Sequence, residues 1–143
     1  MAGKRISSAV KKALTRARVA RMATVDVAGQ PYVVPICFVY DGIAFYTAID
    51  RKPKRVKAER LARIRNIAAT GKVALVVDEY REDWSRLWYV ALRGRARQAA
   101  GAEREHAIGM LRRKYRQYSE GMLADDALVI KIVAQRVKAW GKV

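Results

Sequence analysis

Three strand-like runs follow one another between Arg21 and Ala48 with only turns to separate them, and this spacing restricts the fold more than any other feature of the chain. RMATVDV (21–27) ends at Ala28-Gly29-Gln30-Pro31, YVVPICFVY (32–40) ends at Asp41-Gly42, and IAFYTA (43–48) follows at once. Glycine, proline and aspartate in such clusters mark tight turns. Parallel neighbours need a crossover of a dozen or more residues, so runs this close pair antiparallel. The expectation is a three-stranded meander, not a βαβ unit. Tyr32–Tyr40 is apolar nearly throughout, which predicts cover on both of its faces. Pro35 within it lacks a ladder donor and predicts an edge, a bulge or the approach of a ligand.

The remaining elements fit around that unit. Ser7 or Ser8 caps a first helix to about Arg18, with Val10, Leu14 and Ala17 on one face. Beyond Pro53 the spacing turns helical through Val56, Leu61, Ile64 and Ile67-Ala68, and Gly71 stops it. KVALVVD (72–78) reads as a strand, EYREDWSR (79–86) as a polar connection, and LWYVALRGRARQ (87–98) as a long strand. That strand carries Arg93, Arg95 and Arg97 on one face, with Gly94 marking a bend or bulge. Ala102 to about Tyr118 forms a third helix, and ALVIKIVAQRV (127–137) closes the sheet before Trp140 in the tail. The sum is one mainly β domain with helices (α+β) over residues 1–143: six strands in a closed antiparallel barrel, helices at its ends.

Composition narrows the function classes. No apolar run approaches the roughly 20 residues that cross a bilayer, and the basic N-terminus lacks a secretory core, so the expected location is cytoplasmic. Cys37 is the one cysteine and, among apolar neighbours, reads as a packed thiol. Against 13 acidic residues stand 30 Lys and Arg, a formal charge of +17 that attracts polyanions.

Catalytic constellations are missing. His106, the one histidine, has no ligand or nucleophile at a useful spacing and reads as a surface or packing residue. Neither GxxxxGK[ST] nor GxGxxG occurs. Chemistry, if present, belongs to a bound cofactor. The feature that suits one is the stretch GIAFYTAIDRKPKRVK (42–57), where a strand ending in Tyr46-Thr47 runs into Arg51, Lys52, Lys54 and Arg55 around the strand-breaking Pro53. Cations at a strand end beside two hydroxyls suit an anionic group whose flat part lies on the sheet.

The ordered series GQPYVVP, FYT, DRKPKR, VALVVD and the Trp84 and Trp88 pair resembles the pyridoxamine 5'-phosphate oxidase-like, FMN-binding split β-barrel superfamily. Over about Val19 to Arg97 it is similar to the branch that uses the deazaflavin coenzyme F-420. The resemblance implies a six-stranded antiparallel split barrel and a homodimer with cofactor grooves at the subunit interface. It places Val34, Pro35 and Ile36 along the ring or phosphate side, and Tyr46 and Thr47 at the end of the third strand. Arg51, Lys52, Lys54 and Arg55 become the phosphate-gripping turn, and Trp84 and Trp88 cover the substrate side. FMN enzymes of this superfamily commonly carry an arginine and a lysine on the second strand, where this chain has Val34 and Val39.

The activity implied is hydride transfer between coenzyme F-420, or alternatively FMN, and a small or medium organic substrate, with no protein nucleophile and no metal. Two other classes stay open. One is a non-catalytic cofactor carrier. The other is a nucleic-acid-binding module using Arg60–Arg65 and Arg93–Arg97, whose affinity would fall steeply with salt.

Overall fold

The computed structural model describes residues 6–50, 57 and 61–143. Helix α1 (Ser8–Arg16) opens on Ser7, whose Oγ accepts the Val10 amide at 3.2 Å. Strand β1 (Ala20–Val25) turns into β2 (Pro31–Ile36), and β3 (Val39–Tyr40) turns into β4 (Phe45–Ala48). Helix α2 (Ala62–Thr70) ends on Gly71 in a left-handed conformation, as the glycine stop predicts. Then come β5 (Lys72–Glu79), β6 (Trp88–Ala99), α3 (Gly101–Lys114) and β7 (Val129–Gly141). The predicted start of α2 near Val56 lies outside the described residues.

All seven strands form one antiparallel sheet in the order β2-β1-β5-β6-β7-β4-β3. Two expectations are corrected here. Among the described residues the count is seven, not six, because Tyr32–Tyr40 breaks at Cys37-Phe38 into β2 and β3. The meander is lost with it: β2 pairs with β1 and β3 with β4, and β2 and β3 lie at opposite edges of the sheet. Three Cα steps separate Ile36 from Val39, a reach of at most about 11 Å. The sheet must therefore curl until its two edges nearly meet. Covalent continuity, not a ladder, links those edges, so the barrel is split instead of closed.

Side-chain alternation sorts the two faces. Met22 and Thr24 of β1, Val73, Leu75 and Val77 of β5, Val90, Leu92 and Ala96 of β6, and Phe45 of β4 point inward and are buried. Val10 and Leu14 of α1 and Ile64 and Ile67 of α2 join the same core. A buried polar pair there is satisfied, with Asn66 Nδ2 donating to Thr24 Oγ1 at 3.0 Å. A second core lies outside the barrel, where α3 lays Ala107, Ile108 and Leu111 over Val39, Tyr46, Ala48 and Val129. Thus α3 covers the outer face of β3, β4 and the start of β7. Among the described residues, no helix covers the outer face of β2, β1, β5, β6 and the rest of β7.

Arg93 pairs with Arg136 and Gly94 with Ala134, so Gln135 is an extra residue bulged out of β7. The predicted irregularity at Gly94 is therefore present, with the added residue on the partner strand. Gly94 admits it: a Cβ there would lie 2.9 Å from the Val133 carbonyl carbon and closer still to its oxygen.

Candidate functional site

The uncovered outer face is a trough. Its floor alternates with the barrel core: Ala23 on β1, Val33 on β2, Ala74 and Val76 on β5, and Ala91 on β6 all point away from the interior. Ala23 lies directly across from Ala74, and Val76 from Ala91, so short side chains sit side by side over three strands. Arg21, Arg93, Arg136 and Lys138 rim a hollow of about 540 Å³ over this floor. A second hollow of about 380 Å³ shares Ala23, Ala74 and Arg93 and continues past Lys72, Arg95 and Gln135. A separate hollow of about 570 Å³ lies between α1 and the sheet, lined by Lys12, Arg16, Arg18, Glu79 and Trp88 among others.

Charge in the trough is unbalanced. Arg21 Nη1 lies 3.3 Å from Asp78 Oδ1, but among the described residues Arg93, Arg136 and Lys138 make no ion pair. Arginines directly opposite on neighbouring strands repel each other. The face thus offers short apolar side chains for a flat ring and unpaired cations for an anion. No group of three or more metal-ligating side chains occurs among the described residues, and no helix there is long and apolar enough to cross a membrane.

Those residues expected to hold the cofactor that are described lie on different faces of this structure. Pro35 is exposed on the edge strand β2, on the trough side with Val33 and opposite Arg21. Val34 and Ile36 face the other way and pack on the barrel core, so the expectation that Tyr32–Tyr40 is covered on both faces is corrected. Val33 is 63% exposed. Tyr46 and Thr47, as neighbours on β4, point to opposite faces and both are buried. Tyr46 lies under α3, edge-on to His106 at 5.7 Å, and burial raises its pKa. Thr47 Oγ1 donates to the Cys37 carbonyl at 2.7 Å, fixing the crossover between β2 and β3. Arg51, Lys52, Lys54 and Arg55 lie outside the described residues. Trp84 is 69% exposed in the turn before β6, whereas Trp88 lines the hollow beside α1 and donates its Nε1 to Glu79 at 3.1 Å.

His106 is explained as a packing residue, with its Nε2 3.0 Å from Asp41 Oδ2. Burial pushes the Asp41 carboxyl up, but the Ala44 and Ile43 amides and His106 outweigh it and hold it low. Sequence reasoning missed Arg21, Ala23, Val33, Ala74, Ala91, Arg136 and Lys138. The available signal was the alternation of short or charged residues with large apolar ones along β1, β5 and β6.

Cys37, half-buried at the crossover, sits in a cluster of ionisable groups. Lys114 Nζ donates to the Phe38 carbonyl at 2.9 Å and lies 4.2 Å from the Phe38 ring centroid. Burial, with Arg18 adding repulsion, lowers its pKa to about 8. Burial also raises Tyr115 to about 12 and raises Tyr118. The unfolded chain therefore binds more protons than the folded one above about pH 8, where Lys114 discharges first in the folded state. Stability should rise with pH from about 8, then turn over above 10, where unfolded tyrosines ionise and the buried ones do not. Urea unfolding across this range checks it, and Lys114→Met should flatten the rise.

Comparison with known proteins agrees with this architecture. The family model for pyridoxamine 5'-phosphate oxidase matches residues 6–141. The heme storage protein HutZ of Vibrio cholerae superposes with a TM-score of 0.73 at 13% identity, over 96% of this chain and 95% of that one. A FAD-binding protein of Mesorhizobium loti superposes with a TM-score of 0.68 at 25% identity, over 94% of each chain. A heme-binding protein of Mycobacterium smegmatis gives 0.74 at 19% identity; 97% of this chain spans 56% of that one. No curated protein matches in sequence. With 136 of its positions bounded by the family model and the split antiparallel barrel in place, the chain belongs to the pyridoxamine 5'-phosphate oxidase family.

Proposed function

We propose that this protein is a flavin- or deazaflavin-dependent oxidoreductase that holds coenzyme F-420, or FMN, on the uncovered sheet face, with a second copy of the chain completing the groove. The observation that carries the reading is the trough itself. A planar ring fits over Ala23, Ala74 and Ala91, where larger side chains would fill the space, and an anionic tail finds unpaired cations beside it. Family membership and the FAD-binding relative at 25% identity support the class of cofactor.

The bound cofactor would supply hydride transfer. The residues of the chain would orient it and exclude water, tasks that need no nucleophile. The Arg51, Lys52, Lys54 and Arg55 turn, expected from the resemblance to grip the phosphate, would add positive charge for the acidic end of the cofactor. Haem fits less well: among the described residues, those lining the trough's hollow of about 540 Å³ include no His, Cys, Met or Tyr to ligate iron.

Titration with F-420, FMN and hemin, followed by absorbance and fluorescence, tests the reading. One of the first two should bind and turn over when reduced with a substrate panel. Binding without turnover would mean a carrier, and absorbance near 260 nm with steep salt dependence would mean nucleic acid. Lys52→Ala with Lys54→Ala should weaken cofactor binding about 10-fold or more, since charge-assisted hydrogen bonds contribute roughly 1.5–3 kcal/mol each. Equal affinities would remove that turn from the site.

A further inference from the structure

We infer that Arg93 and Arg136 form the binding site for the phosphate-type anion carried by the ligand of the trough.

The argument begins with the bulge. Val133 of β7 points outward, opposite Arg95, and Ala134 points inward, opposite Gly94. Strict alternation would turn Arg136 inward, into the barrel. Gln135, the unpaired extra residue, resets the alternation, so Arg136 emerges on the outer face directly across from Arg93. Bulges commonly re-aim a side chain beside a functional site. This one sets two arginines directly across from each other on adjacent strands, both lining the same hollow. The fold has accepted a repulsive pair and the loss of a side chain at Gly94, and nothing among the described residues neutralises either arginine.

Chemistry selects the ligand. The guanidinium fork donates parallel hydrogen bonds that match phosphate oxygens, and two such forks suit a doubly charged group better than a single carboxylate. Lys138 extends the positive rim along β7, and the alanine floor begins at once beside Arg93. Among the described residues, those lining the hollow include no carboxylate, and Asp78 beside it is paired with Arg21. A ligand with a flat apolar part and a phosphate therefore meets both of its needs across the strand spacing. The inference rests on the reading of the trough as a ligand site, but not on which redox cofactor occupies it.

Inorganic pyrophosphate is the probe, and amide NMR is the local readout. Titration should give saturable shifts centred on Arg93, Gly94, Gln135 and Arg136. Arg93→Gln with Arg136→Gln should weaken that binding at least 10-fold with the fold intact by circular dichroism. Lys11→Gln with Lys12→Gln on α1 removes the same charge and should change it less than 2-fold. Equal losses in the two double variants would reduce the effect to the general positive field and overturn the site, as would shifts that never saturate. Pyrophosphate bound at the arginines with neither F-420 nor FMN binding would keep this inference and discard the proposed cofactors. A cofactor that binds wild type and the arginine variant equally would discard the inference alone.

Discussion

Gly94→Val is expected to destabilise the protein by about 3 kcal/mol or more, the upper range for inserting side-chain volume where there is none. The space a side chain would enter is occupied by the backbone of β7, with Val133 carbonyl and Ala134 Cα both close. Backbone cannot swing aside as a flexible side chain would. The β6–β7 ladder runs the full length of β6, so relief requires moving one strand of the longest pair in the sheet. In a chain of 143 residues the melting temperature should fall by about 10 °C. Gly29→Ala is the control: its φ of +88° carries strain, yet nothing lies within 4 Å, so its cost should stay near 1 kcal/mol. Thermal and urea unfolding of both variants read the difference. A milder Gly94→Ala that folds should also shift the neighbourhood of Arg136, because the bulge aims that side chain.

Phe38→Ala should cost about 3–5 kcal/mol, the usual range for emptying a fully buried aromatic site. Phe38 is wholly inaccessible and lies in the two-residue link between the sheet's edges. Its ring packs at 6.0 Å from that of Phe45 and carries Lys114 on its face. Its amide donates to Tyr115 Oη at 3.1 Å, while its carbonyl accepts from Lys114. Truncation leaves a cavity at the seam where the curl is held by the chain alone, so little can collapse into it. Tyr115→Phe removes one hydroxyl that also donates to the Arg18 carbonyl at 2.8 Å. It should cost about 1–3 kcal/mol, the range for unsatisfied buried groups. Equal effects in urea unfolding would mean that ring packing at Phe38 contributes no more than the hydrogen bonds of the Tyr115 hydroxyl.

Much of the fold was legible because local rules governed it. Ser7 caps α1 and Gly71 ends α2 for reasons that reside in the side chain or its absence. The alternation in β5 and β6 matches their inward and outward residues. The connection after Ile36 was not legible in that way. An unbroken apolar run has no marker for the point at which one face is exchanged for another, so Tyr32–Tyr40 read as a single covered strand. The site suffered from the same ambiguity. Tyr46 and Thr47 are the right residue types at a strand end, yet α3 covers one and the crossover carbonyl takes the other. Arg93 was visible as one of three arginines on a face, but its partner Arg136 was not.

The sequence by itself determined that β1 with β2 and β3 with β4 run antiparallel, since the turns between them are too short for crossovers, and that the chain is strongly positive. It also determined where α1 begins and α2 ends, because a serine cap and a glycine stop act within one turn. Only the tertiary structure decided that β2 and β3 part to opposite edges, that one sheet face stays uncovered, and that Arg136 stands beside Arg93. Those outcomes depend on sheet curvature and on ladder register between strands roughly 40 residues apart. A single bulged residue inverts every side-chain direction beyond it, and no local pattern along β7 reports which strand it will face.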